Sequence, residues 1–275
     1  MSTTRGRLPD FVIIGAMKSG TSSLHEYLDL LPDVCMSRPK EPAYFVPERF
    51  HWHAPEWYKD FFTAKPAATH VGEASPHYAI RHVYPGVADC MHGVVPDARI
   101  VYIVRDPVER IRSEWVHHVA RGRITRSLSD ELRVPESSVV FHTSRYAWQL
   151  EPYLEQYGAE RIFVVSSEEL TRQPTRSLER LLQFLGASTS VPPDLVQLRF
   201  NDSGDKRRPN ALGRTLLGHP RARKVALARA PWLVGSPIEV PQWEPDVRSL
   251  VTDALRADVD ALRALTGEPF ADWSL

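Results

Sequence analysis

The residues with the clearest chemistry lie in a short loop between two glycines, Gly15 and Gly20. Lys18 lies inside this loop, and the hydroxyl residues Thr21 and Ser22 follow it. The amides of such a loop and the unpaired N–H groups of a following helix point at one spot, where the helix dipole favours negative charge. Lys18 adds a full positive charge. The stretch therefore predicts an anion site, with Thr21 or Ser22 as the cap of the helix.

The loop has the glycine spacing of the nucleotide-binding P-loop, G-x-x-x-x-G-K-[ST], but it differs in the position of the lysine. The residue after Gly20 is Thr21, and the lysine is at position 18. In an ordinary ATP or GTP site the lysine follows the second glycine, and the next hydroxyl holds magnesium. The difference argues against such a site. A strand-to-helix turn that merely uses small residues is the other interpretation of this loop.

A second group of polar residues follows the apolar run Arg99–Val104, which predicts a buried strand. Arg105 comes directly after the run, and Ser113 lies in the helix predicted to follow. Ligands gather at the carboxyl ends of strands in open α/β sheets, so Arg105 should lie at the same edge as the glycine loop. The pair predicts a second phosphate site. The alternative is an arginine that pairs with Asp106 or Glu109 and caps the helix.

Three further ionisable groups are candidates for chemistry at this edge. Two prolines restrict the backbone around Lys40 and Glu41, which holds a charged pair in a rigid loop close in sequence to the anion site. The alternative is a solvated turn in which Glu41 pairs with a neighbouring cation. Glu73 and His77 lie near the tip of a strand predicted over residues 70–76.

The region after residue 193 differs from the rest of the chain. Residues 199–215 are polar, basic and rich in turn residues, which predicts a mobile loop. The consecutive cations Lys206, Arg207 and Arg208 could close over a bound polyanion, although a solvated charge run is the default without the other anion sites. A helix of about residues 244–265 follows and needs only a packing role.

Apolar runs typical of buried parallel strands occur at residues 11–14, 99–104 and 161–165. Segments with helical spacing alternate with them, for example residues 174–185. This alternation implies right-handed crossovers and a parallel sheet covered by helices on both faces. We therefore expect an α/β fold in which residues 1–275 form a single domain.

Composition restricts the partners. The 34 basic residues equal the 34 acidic ones, so no global field recruits nucleic acid or an anionic membrane. The longest apolar runs are far short of a membrane span, and no signal-type segment precedes the first strand. A cytoplasmic protein is the expectation. The 11 histidines and two cysteines show no metal-ligand spacing, which predicts a site that requires no metal.

In combination, these motifs resemble the sulfotransferases that use 3′-phosphoadenosine 5′-phosphosulfate (PAPS), over nearly the whole chain. The opening F-V-I-I-G-A-M-K-S-G-T-S-S-L at 11–24 and R-D-P-x-x-R-x-x-S at 105–113 are similar to those of heparan sulfate-type and related bacterial enzymes. The family motif E-K-T-P-x-Y-F is similar to residues 72–78, but its lysine is replaced here by Ala74. This replacement leaves that contact and the acceptor preference open.

The resemblance implies a role for each candidate. Arg105 and Ser113 bind the 3′-phosphate, and Arg207 and Arg208 belong to the closing loop. Lys18 stabilises the leaving phosphate oxygen without a metal. The residues that bind the 5′-phosphosulfate are Lys18, Ser19, Gly20, Thr21 and Ser22.

The expected reaction is in-line transfer of a sulfuryl group from PAPS to a hydroxyl or amine, with release of the product PAP. An acceptor hydroxyl needs a general base. In the glycan sulfotransferases a glutamate in an E-x-x-x-F context fills this role, and Glu41 matches it. Glu73 and His77 are the alternatives, because both should lie at the same sheet edge.

Two other classes of protein stay open at this point: a P-loop-like small-molecule kinase and a non-catalytic nucleotide-binding module. The kinase would need magnesium and an acidic strand end, whereas the strand at 99–104 ends in Arg105. Neither the oligomeric state nor the acceptor can be read from the sequence, and a small molecule, a glycan and a lipid are equally open. The segment 114–142 is a candidate for the walls of the acceptor site. The aromatic residues at 52–62 could also line it, but a helix that packs its aromatic face into the core is the preferred interpretation.

Overall fold

The computed structural model describes residues 6–50, 52–188, 190–192, 207–209 and 234–275, with residues 207–209 and 234–236 described by their backbone alone. The predicted single domain of residues 1–275 stays a prediction. No helix in the described part of the chain is long and apolar enough to cross a membrane.

Five parallel strands form the central sheet, in the order β2-β3-β1-β4-β5. Their bounds are β1 Phe11–Gly15, β2 Val34–Met36, β3 His70–Ala74, β4 Arg99–Val104 and β5 Ile162–Ser166. The chain leaves β1 towards β2 on one side and later reaches β4 on the other side. The carboxyl ends of β1 and β4 therefore flank the switch point at which ligands bind in such sheets.

Helices follow most of the strands. In the first half of the chain they are α1 Thr21–Asp29, α2 Pro47–Phe50, α3 Pro55–Lys59, α4 Val87–His92 and α5 Pro107–Ala120. The remaining ones are α6 Leu128–Leu132, α7 Val139–His142, α8 Tyr146–Tyr157, α9 Ser167–Arg172, α10 Pro174–Leu185 and α11 Pro245–Thr266.

Both faces of the sheet are buried, as the uninterrupted apolar runs predicted. On one face α1 and α10 pack against β1 and β4, with Leu28 and Leu182 among the buried side chains. On the other face α4, α8 and α11 pack against the same strands. A third apolar cluster joins α5 and α11 through residues such as Trp115 and Leu255. The predicted α/β class with a parallel sheet between helical layers is confirmed.

Part of the basic stretch predicted as a loop has regular structure. Arg207–Pro209 form β6, which pairs antiparallel with β7, Val234–Pro237. The backbone of β6 lies against α5, the helix that carries Ser113. The rest of residues 199–215, including Lys206, lies outside the described residues.

Candidate active site

A cavity of about 450 Å³ lies at the carboxyl ends of β1 and β4. Ligand pockets in proteins have volumes of this order. Most of the residues singled out from the sequence meet here. Its walls are formed by Met17, Lys18, Gly20, Thr21, Ser22, Ser23, Glu41, Pro76, His77, Arg105, Ser113, His117, Arg121, Arg123 and Ser167.

The start of α1 is open towards the cavity. Gly20 occupies the N-cap position with φ of 105°, so the prediction of a Thr21 or Ser22 cap is wrong. Thr21 is the first helical residue. A Cβ on Gly20 would lie 3.3 Å from Cδ1 of Ile103 in a left-handed conformation that L side chains avoid. A capping side chain would occupy the first-turn amides, whereas glycine leaves them available to an anion.

Lys18 lines the cavity from the loop between β1 and α1. Its own backbone is left-handed, with φ of 70°. A non-glycine residue in this region is uncommon and is found preferentially at functional sites. Ser19 is part of the same loop, but it is fully buried. Its side chain therefore does not line the cavity as Thr21 and Ser22 do.

Arg105 follows the end of β4, and its backbone is held by Tyr146. The hydroxyl of Tyr146 donates to the Arg105 carbonyl at 2.8 Å and accepts from the Arg105 N–H at 3.4 Å. Asp106 caps α5, because its carboxylate accepts from the amides of Val108 and Glu109 at 2.9 and 3.1 Å. The cap is therefore Asp106, and the Arg105 side chain lines the cavity.

Along α5, Ser113 faces the cavity, but Arg110 does not. Arg110 is fully buried, where it pairs with Glu114 at 2.5 Å and donates to Oγ of Ser144 at 2.6 Å. The Arg110 charge favours the ionised Glu114 and lowers its pKa, although burial acts in the opposite direction. Arg110 therefore stabilises the packing of α5 and leaves Arg105 and Ser113 as the polar pair at this end.

Glu41 lines the same cavity from the loop after β2. Its backbone has φ of 60°, and its carboxylate contacts Nζ of Lys40 at 2.5 Å with 38% of the side chain exposed. Glu41 therefore pairs with a neighbouring cation, as the interpretation as a solvated turn predicted. It also lines the same cavity as Lys18, as expected of a residue with a role in the chemistry.

His77 also lines the cavity. It lies just after β3, in a single turn of 3₁₀-helix over Pro76–Ala79. Burial lowers the pKa of His77, and nearby Arg49, Arg121 and Arg123 lower it further, whereas Glu41 opposes them. These effects together favour the neutral form of the ring. Its Nδ1 atom is buried without a hydrogen-bond partner in the described part of the structure.

Glu73 differs from these residues because it is completely buried and does not line the cavity. Its carboxylate accepts hydrogen bonds from three hydroxyls, those of Tyr58, Ser75 and Tyr78. Burial raises the pKa of Glu73, and the three hydrogen bonds oppose this effect. Ala74 is fully buried in the cluster below α1, so it offers no polar group at this position.

Several lining residues were not singled out from the sequence: Ser167, and also His117, Arg121 and Arg123, which lie in the segment 114–142 named as a candidate wall of the acceptor site. His117 lies four residues after Ser113 on α5, so helical spacing could have identified it. Ser167 directly follows β5, and the rule for strand ends could have found it. Arg121 and Arg123 come after the last residue of α5, where no periodic pattern indicates direction. Arg207 and Arg208 lie in β6, but only their backbone is described.

The arrangement is suited to a ligand with two anionic ends. The open α1 terminus with Lys18 follows β1, whereas Arg105 and Ser113 belong to the turn and helix that follow β4, and all of them line one cavity. Asp106 is engaged by backbone amides, including that of Ser274 at 2.7 Å, so it is not the free acidic strand end of a magnesium site. No group of three or more potential metal ligands occurs among the described residues. The fold and the cavity define a P-loop-like α/β protein with groups suited to a polyanion at the carboxyl ends of β1 and β4.

Comparison with known proteins identifies the family. Residues 8–203 match the family model described as "Sulfotransferase domain", and the chain belongs to the sulfotransferase family. The chain is 27% identical to bifunctional heparan sulfate N-deacetylase/N-sulfotransferase 2 of Bos taurus, with 98% of this chain and 31% of that protein covered. It is 29% identical to heparan sulfate glucosamine 3-O-sulfotransferase 3B1 of Mus musculus, with 66% and 46% covered. The chain therefore spans less than half the length of these relatives.

Solved structures give the same result. A sulfotransferase from Alicyclobacillus acidocaldarius is 26% identical, with a TM-score of 0.69 that covers 98% of this chain and 100% of that one. The sulfotransferase domain of the curacin biosynthetic pathway shares the fold at a TM-score of 0.52 and 16% identity, with 91% and 99% covered. The predicted family is confirmed, and the kinase and binding-module alternatives are not favoured.

Proposed function

We propose that this protein transfers the sulfuryl group of PAPS to a hydroxyl or amine of an acceptor and releases PAP. The main support for this proposal is that one cavity is lined by Lys18 and the open start of α1 and also by Arg105 and Ser113. PAPS has a 5′-phosphosulfate and a 3′-phosphate separated by a ribose. Two anion-binding ends in one cavity suit this donor better than ATP.

In this proposal the start of α1 binds the 5′-phosphosulfate through the loop amides, Thr21 and Ser22. Lys18 stabilises the charge that develops on the leaving phosphate oxygen, which is the largest effect expected of such a preorganised site. Arg105 and Ser113 bind the 3′-phosphate by charge-assisted and hydroxyl hydrogen bonds. No metal is required for these contacts. Arg207 and Arg208 belong to the segment that covers the donor, and the position of β6 beside α5 supports this assignment.

Glu41 is proposed as the base that takes the acceptor proton, and His77 is the alternative. Both line the cavity with Lys18, and the lowered pKa of His77, caused mainly by burial, favours the neutral ring that a base needs. A base must lie within hydrogen-bond reach of the acceptor group. The acceptor is therefore expected on the side of the cavity between Glu41 and His77.

We favour a glycan as the acceptor. The relatives are named for transfer to heparan sulfate, in one case to nitrogen and in the other to the 3-O position of glucosamine. On this chain, Arg121 and Arg123 act electrostatically on His77, so their charges lie on the acceptor side. These two cations suit an acceptor that carries acidic groups. A small molecule or a lipid with a free hydroxyl is the competing class.

Thermal unfolding with and without nucleotide tests the donor. PAP should stabilise the fold without magnesium, by about 2.7 kcal/mol at a concentration a hundredfold above its dissociation constant. Protection by magnesium–ATP but not by PAP would overturn the proposal. PAP release should then be measured across a panel of glycans, phenols and lipids, and turnover confined to non-glycan acceptors would overturn the acceptor assignment.

A further inference from the structure

The loop that carries Glu41 is held from below by residues that do not touch the cavity. Glu73 in β3 is fully buried, and each of its carboxylate oxygens is engaged. Tyr58 and Tyr78 donate to Oε1 at 2.5 and 2.8 Å, and Ser75 donates to Oε2 at 2.7 Å. A carboxylate that accepts three hydroxyl protons in the interior fixes the rotation of those hydroxyls.

Two of these hydroxyls connect Glu73 to the Glu41 loop. Oγ of Ser75 accepts the N–H of Ala43 at 3.0 Å, and the hydroxyl of Tyr78 accepts the N–H of Phe45 at 3.3 Å. Each hydroxyl has one proton, which it gives to Glu73, so its lone pairs are free to face the loop amides. The carboxylate thereby sets the direction of both contacts.

The loop needs such support because its backbone is strained. Glu41 and Ala43 have φ of 60° and 49°, in the left-handed region that non-glycine residues rarely occupy. Such conformations persist only where the surrounding structure over-determines them. Arg49 adds a third restraint, since it donates to the carbonyl of Pro42.

We infer that Glu73 is a positioning residue that acts through Ser75 and Tyr78 to hold the turn at residues 41–45 and thereby to aim the Glu41 carboxylate into the cavity. This inference rests on the proposed function, in which Glu41 takes the acceptor proton. Glu73 itself has no exposed surface from which to reach an acceptor. Its chemistry is that of an acceptor of hydroxyl protons inside the protein.

The test compares variants that break single links. Ser75→Ala and Tyr78→Phe each remove one hydroxyl between Glu73 and the loop. Glu73→Gln replaces one acceptor oxygen by an N–H donor, which reverses the orientation of at least one hydroxyl. Tyr58→Phe is the matched control, because it removes a hydrogen bond to Glu73 from a hydroxyl whose one described bond is to that carboxylate.

Amide hydrogen exchange at Ala43 and Phe45, the Kd for PAP, kcat, KM and the pH profile are measured for each variant. We expect faster exchange at Ala43 in Ser75→Ala, at Phe45 in Tyr78→Phe and at both in Glu73→Gln. The value of kcat should fall about tenfold with the Kd for PAP unchanged, because small misplacements of a catalytic group lower the rate. The acidic limb of the pH profile should stay in place, since Glu41 is retained.

Two results would overturn the inference. Exchange and kcat that equal those of Tyr58→Phe would give Glu73 a packing role alone. Loss of the acidic limb in Glu73→Gln, with normal activity in Glu41→Gln, would make Glu73 the base. A wild-type protein that binds no PAP and turns over no acceptor would overturn the proposed function, and exchange at Ala43 and Phe45 distinguishes that failure because it needs no activity. If Glu73→Gln does not fold, Ser75→Ala and Tyr78→Phe test the inference by themselves.

Discussion

Lys18 and Glu41 are 23 positions apart in sequence, and both have left-handed backbones at the wall of one cavity. Each such residue costs of order 1 kcal/mol or more relative to an ordinary conformation. The cost is tolerated where side-chain direction has to be fixed. At the scale of the residue, strained backbone therefore marks the same two groups that charge and spacing indicated.

Replacement of Glu41 by glutamine tests the base. The amide keeps the size of the side chain and part of its hydrogen bonding but cannot take a proton. Turnover should fall by about 10² to 10⁴ with the Kd for PAP nearly unchanged. Glu48→Gln, an exposed position on α2, is the control for loss of a nearby charge. Full turnover in Glu41→Gln together with its loss in His77→Ala would move the role to His77.

Replacement of Arg105 or Ser113 by alanine separates the two anion sites. Each change should weaken PAP binding far more than binding of adenosine 5′-phosphosulfate, which lacks the 3′-phosphate, because charge-assisted contacts are the strong ones. Calorimetric Kd values provide the measurement. Arg112→Ala is the matched control, since Arg112 pairs with Glu109 outside the cavity. Equal losses for both ligands would remove the 3′-phosphate assignment.

Sequence identified the residues that follow strands and missed those fixed by packing. Lys18, Glu41, His77 and Arg105 were found because each follows a strand or lies in a rigid loop next to one. The position of Glu73 could not be predicted, because β3 is buried on both faces and alternation does not tell which way its side chain points.

At the scale of the element, the end of β4 is fixed from several sides. The carboxylate of Asp106 caps α5 and also accepts the N–H of Ser274 at 2.7 Å, while its own N–H donates to Glu168 at 3.0 Å. Trp273 packs near Tyr146, with ring centroids 5.8 Å apart. Residues from α8, α9 and the segment after α11 thus support the turn that carries Arg105.

Asp106→Ala should therefore affect both stability and ligand binding. Loss of an N-cap costs about 1 to 2 kcal/mol, and loss of the Ser274 contact adds to it. The Kd for PAP should rise, because Arg105 and Ser113 lose their common support. Urea unfolding and calorimetry measure the two effects. Ser127→Ala is the control: Ser127 caps α6, away from the cavity, so its loss should lower stability with PAP binding unchanged.

The strands and the long helices were predicted well, whereas the structure of the aromatic segment was predicted only in part. The strands at 11–14, 99–104 and 161–165 and the helix at 174–185 are present with small shifts at their ends. The aromatic segment at 52–62 is divided between α3 and a turn of 3₁₀-helix, with Tyr58 buried but Trp52 80% exposed. Tertiary contacts determine the secondary structure of such a segment, because periodicity over a few residues carries little information.

At the scale of the molecule, a pair of partly buried histidines should make stability depend on pH. Nδ1 of His82 lies 3.4 Å from Nε2 of Gln149, and its ring is 5.2 Å from that of His142. Burial, and then the neighbouring His142, lower the pKa of His82 to about 4. An unfolded histidine titrates near pH 6.5. The unfolded state therefore binds this proton over a range in which the folded state does not.

The stability from neutral His82 is thus complete above about pH 6.5 and is lost as the pH falls towards 4. The free energy of unfolding of the wild type, minus that of His82→Asn, should fall over this range by about 1 to 2 kcal/mol, less than full linkage because water partly screens the ring. Urea unfolding at a series of pH values measures it. His53→Asn, at an exposed histidine, is the control, and a difference independent of pH would contradict the assignment.

The difference in unfolding free energy between the wild type and His82→Asn is the quantity to compare, because other groups change stability with pH in the opposite direction. Burial raises the pKa values of Glu73 and Asp258 in the folded state. Each raised carboxyl makes the fold less stable as the pH rises above the ordinary range for an acid. The stability curve of the wild type alone therefore combines both slopes, and subtraction of the variant isolates His82.

The strand order has a consequence for how new specificities can arise. Lys18 and Arg105 follow the adjacent strands β1 and β4, whereas Glu41 and His77 follow β2 and β3 on one side of them. In the proposed function, donor recognition is thus built on the centre of the sheet, and acceptor chemistry is built on its flank. In this proposal, substitutions next to Glu41 and His77 would sample new acceptors, and the donor contacts of Lys18 and Arg105 would be kept. The same division allows natural lineages to diversify at the flank and to keep one donor.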